Sequence, residues 1–201
     1  MLRMLMKLYW KLSGWKVVGQ FPHHYKKMVL LVAPHTSWKD IPIGLASRYE
    51  LNIDDAKFLG KKELFDGAFG WLFRYLGGIP VDRFCKNGIP RHGIVEQAIG
   101  LFEKHENFIL AIAPEGTRKR VKKLRSGFYH IAKNAGVPII PYGLDFENKR
   151  LILGEPIFAS DNEASDLTKI IAFFSTIKGE KPEFDLRHLN ADNKIGPPVL
   201  I

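Results

Sequence analysis

Short apolar runs of strand length alternate along this chain with stretches whose apolar residues recur at helical spacing, and this alternation constrains the fold more than any other feature. Residues 28–33, 56–59, 79–81, 108–113, 137–144 and 151–153 read as strands. Between them, residues 38–49 read as a helix capped by Thr36 or Ser37, and residues 69–76 form an aromatic stretch closed by Gly77 and Gly78. Ile94, Val95, Ala98, Ile99, Leu101 and Phe102 make one helical face, and residues 128–134 a further helix stopped by Gly136. Ser160-Asp161-Asn162-Glu163 has the form of a capping box ahead of Leu167, Ile170, Ile171, Phe174 and Ile177. Pro138 and Pro141 lack the N–H a ladder needs, so residues 137–144 are expected at an edge or a bend. Strands alternating with helices predict an α/β fold: a single domain with a mixed, mostly parallel sheet flanked by helices.

The length of 201 residues suits one well-buried domain. The expected organisation is an amphipathic helical segment over residues 1–20, the domain proper over 21–180, and a tail of little regular structure over 181–201. A hydrophobic content of 46% excludes global disorder. Thirty Lys and Arg against 21 Asp and Glu leave a formal charge of +9, which favours anionic partners: phosphate esters, anionic lipid or nucleic acid. Cys85 is the only cysteine, so no intrachain disulfide forms, which fits a reducing compartment. No run approaches the ~18 apolar residues of a spanning helix, and no signal-type core opens the chain. Instead Leu2, Leu5, Leu8, Tyr9 and Leu12 recur at helical spacing, with Arg3, Lys7 and Lys11 stacked on another face. That helix either lies in a membrane interface or packs on the domain's own core.

In α/β sheets the ligand groups collect on loops beyond the strand ends. Two such loops carry chemistry here. Ala33-Pro34-His35-Thr36-Ser37-Trp38-Lys39-Asp40 follows the first strong apolar run, and Ala113-Pro114-Glu115-Gly116-Thr117-Arg118 follows the run at 108–113. A carboxylate on the far nitrogen of an imidazole fixes its tautomer and stabilises the imidazolium formed when the ring takes a proton. Five residues of ideal helix would turn His35 and Asp40 roughly 140° apart, so His35 is expected in the loop and Asp40 in the first helical turn. The plainer reading is a histidine that caps the helix. Arg83 and Arg118 each offer a planar fork suited to phosphate, and Arg83 could equally pair with Asp82. Gly116 permits a tight turn, and Thr117 adds a donor.

Four blocks in order give the chain its resemblance to the glycerophospholipid acyltransferase family, the lysophosphatidic acid acyltransferase group. His35 and Asp40 match its H-x4-D block; Gly78-Ile79-Pro80-Val81-Asp82-Arg83 its second; Pro114-Glu115-Gly116-Thr117-Arg118 its third; and Val137-Pro138-Ile139-Ile140-Pro141 its proline-flanked fourth. Lys61-Lys62-Glu63-Leu64 is similar to a basic segment between the first two. The resemblance implies a glycerol-phosphate-acyltransferase-like fold and transfer of an acyl group to a hydroxyl. The donor is a coenzyme A or acyl-carrier-protein thioester, a co-substrate, and no other cofactor is implied. His35 and Asp40 would be catalytic, and Lys61, Arg83, Glu115, Gly116, Thr117 and Arg118 would bind substrate. Members that form phosphatidic acid commonly carry asparagine before the histidine and phenylalanine before Pro-Glu-Gly. Here Pro34 and Ala113 stand there, which leaves the acceptor open to another lysolipid, alcohol or amine.

The tract from Arg118 to Arg125 holds six cations in eight residues. Read alone it suggests nucleic acid; beside a phosphate-binding block it suits lipid headgroups, coenzyme A phosphates or an acidic carrier protein. The expected partners are therefore an acyl thioester, a lysolipid or glycerol-phosphate-type acceptor, a membrane surface on the cytoplasmic side, and no nucleic acid. A non-catalytic basic module on anionic lipid would explain the charge but not His35 and Asp40. An acyl thioesterase would use His35 to activate water. No metal site is expected, since only His23 and His24 of seven histidines are adjacent and no ligand spacing recurs.

Overall fold

The computed structural model describes residues 2–81 and 93–189. Arg83, Asp82 and Cys85 lie outside the described residues. The elements run α1 (Leu2–Ser13), β1 (Lys16–Val18), β2 (Lys27–Ala33), α2 (Asp40–Glu50), β3 (Lys57–Lys61), α3 (Lys62–Asp66), α4 (Gly70–Tyr75), β4 (Gly78–Val81), α5 (Ile94–Lys104), β5 (Phe108–Ile112), α6 (Gly127–Ala135), β6 (Ile139–Asp145), β7 (Arg150–Leu153) and α7 (Glu163–Phe174), followed by a 3-10 turn at Pro182–Phe184.

All seven strands join one sheet in the order β1-β7-β6-β2-β5-β3-β4. Its pairs are parallel except the β6–β7 hairpin, so the sheet is mixed and mostly parallel, as the alternation predicts. Strand β2 lies at the centre, between β5 and β6. Its side chains divide by the period of two. Val29, Leu31 and Ala33 enter a core built with α5, α6 and α7, while Met28 and Leu30 enter a second core under α1 and α2. Being covered on both faces is why this strand is a continuous apolar run and not an alternating one.

Some local expectations are corrected. Strand β6 is no edge: it is buried throughout and paired on both sides. Pro141 is tolerated because β7 ends where Pro141 would have donated; its carbonyl still accepts from Gly154 N at 2.9 Å. The N-cap of α7 is Asn162, whose side chain accepts from Ser165 N, two residues later than the capping box implied; Ser160 instead serves Asp166 through its hydroxyl at 2.7 Å. Helix α2 has no side-chain cap from Thr36 or Ser37. Gly136 does end α6, in the left-handed conformation at φ +64°.

Among the described residues past Gly179, regular structure is limited to the 3-10 turn, yet Leu186 and Leu189 are buried in the core that α5, α6 and α7 cover. Among the described residues no helix is long and apolar enough to cross a membrane. The apolar face of α1 does not fold inward: Leu5, Leu8 and Leu12 are exposed, and the helix is held by Trp10 and Met6 instead.

Candidate active site

The site forms where β2 and β5 end side by side. Because these strands are parallel and paired from Lys27↔Phe108 to Leu31↔Ile112, the loops leaving them emerge together. The β2 loop brings His35, and α2 opens on Asp40. Asp40 is buried, and its Oδ2 lies 3.0 Å from His35 Nδ1. The same oxygen accepts from the backbone N–H of Thr36 at 2.8 Å and of Ser37 at 2.9 Å. The carboxylate thus ties the loop and the imidazole at one point. Loop and first helical turn are where the spacing argument placed the two residues, and their side chains converge there.

The β5 loop closes the site from the other side. Glu115 is buried, and its Oε1 accepts from His35 N at 2.8 Å. Burial pushes its carboxyl up to about 7, against the lowering effect of that hydrogen bond, and Asp40 nearby adds to the rise. Glu115 therefore lies buried beneath the histidine loop. Gly116 takes φ +60°, and a Cβ there would meet Arg125 Nε at 2.5 Å. Only glycine fits both the turn and the arginine. Arg125 Nε donates to Glu115 O at 3.3 Å, and Arg125 N to Pro114 O at 2.9 Å.

Arg118 turns back over the imidazole, and its Nε donates to His35 Nε2 at 3.1 Å. With Nδ1 on Asp40 and Arg118 Nε donating to Nε2, the contacts suit the tautomer that carries its proton on Nδ1. Its side chain keeps 25% of its exposure, so one edge stays open. Thr117 caps the next turn, its Oγ1 accepting from Lys119 N at 3.3 Å. Lys61 ends β3, exposed, with β5 between its strand and β2. The basic tract is not a uniform solvated face: Leu124 is fully buried within it, and Val121 packs on the core.

Sequence reasoning missed a clamp. After α7 the chain returns across the histidine loop. Lys181 N donates to Thr36 Oγ1 at 3.2 Å, and Glu180 pairs with Lys39 at 2.5 Å. Gly179 sits so close that a Cβ would meet Thr36 Cγ2 at 2.8 Å. Further on, His188 Nε2 lies 2.6 Å from Val121 O, so the same segment also holds the basic tract. No periodicity marks residues 178–189; only the glycine hinted at a close approach. Arg125 is by sequence one cation of the tract among six, and nothing local distinguishes it.

A family model described as Acyltransferase matches residues 15–145. The chain is similar to the 1-acyl-sn-glycerol-3-phosphate acyltransferase of Streptococcus pneumoniae, 30% identical over 169 residues that cover 78% of this chain and 61% of that protein. It is also similar to the protein of that name in Escherichia coli, 38% identical over 87 residues, 41% of this chain and 34% of that one. A third relative is the probable 1-acyl-sn-glycerol-3-phosphate acyltransferase of Mycoplasma pneumoniae, 32% identical over 151 residues, 68% of this chain and 52% of that one. The chain thus spans less than two thirds of the length of these curated relatives. No solved structure matches it. Since the family match spans β1 to the end of β6 and carries both loops of the site, the chain belongs to the acyltransferase family.

Proposed function

We propose that this protein transfers a fatty acyl group from a coenzyme A or acyl-carrier-protein thioester to the free hydroxyl of a 1-acyl-glycerol-3-phosphate-type acceptor. The observation that carries the reading is the buried Asp40 on His35 Nδ1, which leaves Nε2 as the proton-accepting nitrogen. An alcohol is a weak nucleophile until a base takes its proton. Nε2 removes that proton as the oxygen bonds to the thioester carbonyl carbon. The tetrahedral intermediate then breaks its C–S bond, the thiolate leaves, and the imidazolium returns the proton to sulfur. Asp40 stabilises the imidazolium meanwhile.

Arg118 is assigned to the acceptor phosphate, with Arg83 joining it on the strength of its sequence block. Arg118 stands on Nε2 itself. An acceptor phosphate is a stronger partner for guanidinium than neutral imidazole, so its arrival draws Arg118 off and uncovers the base. Thr117 and the Gly116 turn set the reach of that arginine. Glu115 acts through His35, by holding its backbone, and does not touch substrate. The enzyme works at the cytoplasmic surface of a membrane as a peripheral protein. A non-catalytic basic module would need Asp40 only to tie the loop, and gives no reason for the imidazole held on it.

The experiment is a mass-spectrometric screen of the purified protein with acyl thioesters and a panel of lysolipids, each offered with and without its phosphate. Acylated product is expected from phosphate-bearing acceptors, and a folded His35→Ala protein is expected to lose about 100- to 10,000-fold in rate. Near-normal turnover by folded His35→Ala would remove the mechanism. Equal use of phosphorylated and dephosphorylated acceptors would remove the role given to Arg118 and Arg83.

A further inference from the structure

We propose that the outer surface of α1, the entrance to α2 and the α3–α4 hairpin form one docking face for an anionic lipid bilayer, with the aromatic residues of α3–α4 entering the interface beside the site. The large hydrophobic side chains that remain exposed are not scattered. Met4, Leu5, Leu8, Tyr9 and Leu12 lie on α1, Trp38 and Ile41 at the start of α2, and Leu64, Phe69, Trp71 and Tyr75 on α3–α4. Only Val18 and Phe158 lie elsewhere among the described residues. Single exposed apolar residues need no explanation, but a gathered set marks a contact surface.

Topology puts these helices on the same side. From β2 the chain crosses β5 to reach β3, then steps on to β4, always in one direction and always between parallel strands. Right-handed crossovers place α2 and α3–α4 on one face of the sheet, and the return from β4 to β5 places α5 on the other. The two cores agree: α1 and α2 cover one, α5 the opposite. Arg48 of α2 locks the pair together, donating to Leu76 O at 2.6 Å and Asp54 O at 2.5 Å.

The exposure of α3–α4 does not come from loose packing. Phe65 is buried in a slot made by two glycines; a Cβ on Gly60 or Gly78 would lie 2.8 or 2.7 Å from its ring. Arg74 closes over that ring at 5.5 Å and donates to Phe65 O at 2.8 Å. One aromatic is thus seated while Trp71 at 67% exposure, Phe69 and Tyr75 are held outward. Tryptophan and tyrosine suit the headgroup level, with an apolar body and a polar edge. The same helices carry Arg3, Lys7, Lys11, Arg48, Lys62 and Arg74 against Asp40, Glu50, Glu63 and Asp66, and Lys61 adjoins α3 at the end of β3, so the face is net positive and complements anionic headgroups. Trp38 belongs to the loop of His35, so a bilayer on this face lies at the mouth of the site. This inference rests on the acceptor being a lipid, as proposed above.

The chain supplies its own probes. Of four tryptophans, Trp10 and Trp15 are buried and Trp38 and Trp71 exposed. The full chain is mixed with vesicles of phosphatidylglycerol and phosphatidylethanolamine whose acyl chains are brominated, which quenches indoles that enter the bilayer. Strong quenching is expected, largely abolished in Trp38→Phe/Trp71→Phe. Replacing Phe69, Trp71 and Tyr75 together by serine is expected to weaken vesicle binding by at least about tenfold, since binding scales with apolar area inserted. Turnover of a short-chain lysolipid below its micelle concentration is expected to stay unchanged in that triple variant, so the contact and the chemistry can fail separately. Unquenched Trp71 in vesicle-bound protein would overturn the inference. So would a stable dimer in solution that shields Trp71 from iodide, because the occupant would then be a second copy.

Discussion

Arg118 and Glu115 come from one short loop and act on His35 from opposite sides. Arg118 covers Nε2, the nitrogen proposed to take the proton, which predicts that the arginine restrains as well as binds. Losing a hydrogen bond of about 1.5 kcal/mol uncovers Nε2 about tenfold more often. Arg118→Ala is therefore expected to raise acceptor-independent thiol release while lowering transfer to a phosphorylated acceptor. A thiol-reactive dye reads both, and a parallel fall in the two would sink the restraining role. For Glu115 the carboxyl near 7 is raised above the ordinary 4.5 of the unfolded chain, so the native state binds the extra proton between those values. Stability then falls as pH rises through that window, by about 3 kcal/mol in all. Glu115→Gln keeps an oxygen for His35 N and removes the titration. Urea denaturation across that range is expected to show a flatter pH slope in the variant; an unchanged slope would mean the carboxyl ionises freely. Neither contact was legible beforehand. The Pro-Glu-Gly-Thr-Arg block marked which residues matter, but 80 residues separate Glu115 from His35, and no local pattern states which side of the imidazole each would take.

Among the elements, those with several turns or a full buried run were legible, because burial on one or both faces imposes a period on the sequence. Strand β1 and helix α3, three and five residues long, are too short to carry one and went unread. The two prolines misdirected β6 toward an edge, since a proline reports its own missing N–H and not whether a partner strand extends that far. The clamp over residues 178–189 is irregular and had no signature, yet it fixes the histidine loop through Thr36 and Lys39. Gly179→Val tests it. A Cβ at 2.8 Å from Thr36 Cγ2 cannot be accepted without moving the loop. The variant is expected to lose about tenfold or more in acyl transfer, the scale of a reacting group displaced by a fraction of an ångström. The thermal melt should shift by only a few degrees, and a normal rate would show that the loop is set by Asp40 and Glu115 alone.

For the whole molecule, the charge of +9 and the gathered apolar face make distinct contributions to any surface the protein meets. Cations near an anionic surface are worth about 1 kcal/mol each and are screened by salt, whereas inserted apolar area is not. Binding to anionic vesicles is expected to weaken in molar salt and to level off above zero, as sedimentation would read directly. Complete release by salt would reduce the face to a polybasic patch. Composition made the charge legible, and the α1 stripe was visible as a stripe. The gathering of α1, α2 and α3–α4 on one side was not, because it follows from strand order, which no single segment encodes. The clamp described above also has a bearing on synthesis. Every residue assigned to the chemistry is translated before the chain reaches Gly179, and α1 emerges before all of them. A growing chain can therefore touch a lipid surface while its histidine loop still lacks the segment that fastens it. On the membrane contact proposed for α1, attachment would precede competence, because the histidine loop is fastened only once the residues after α7 have followed.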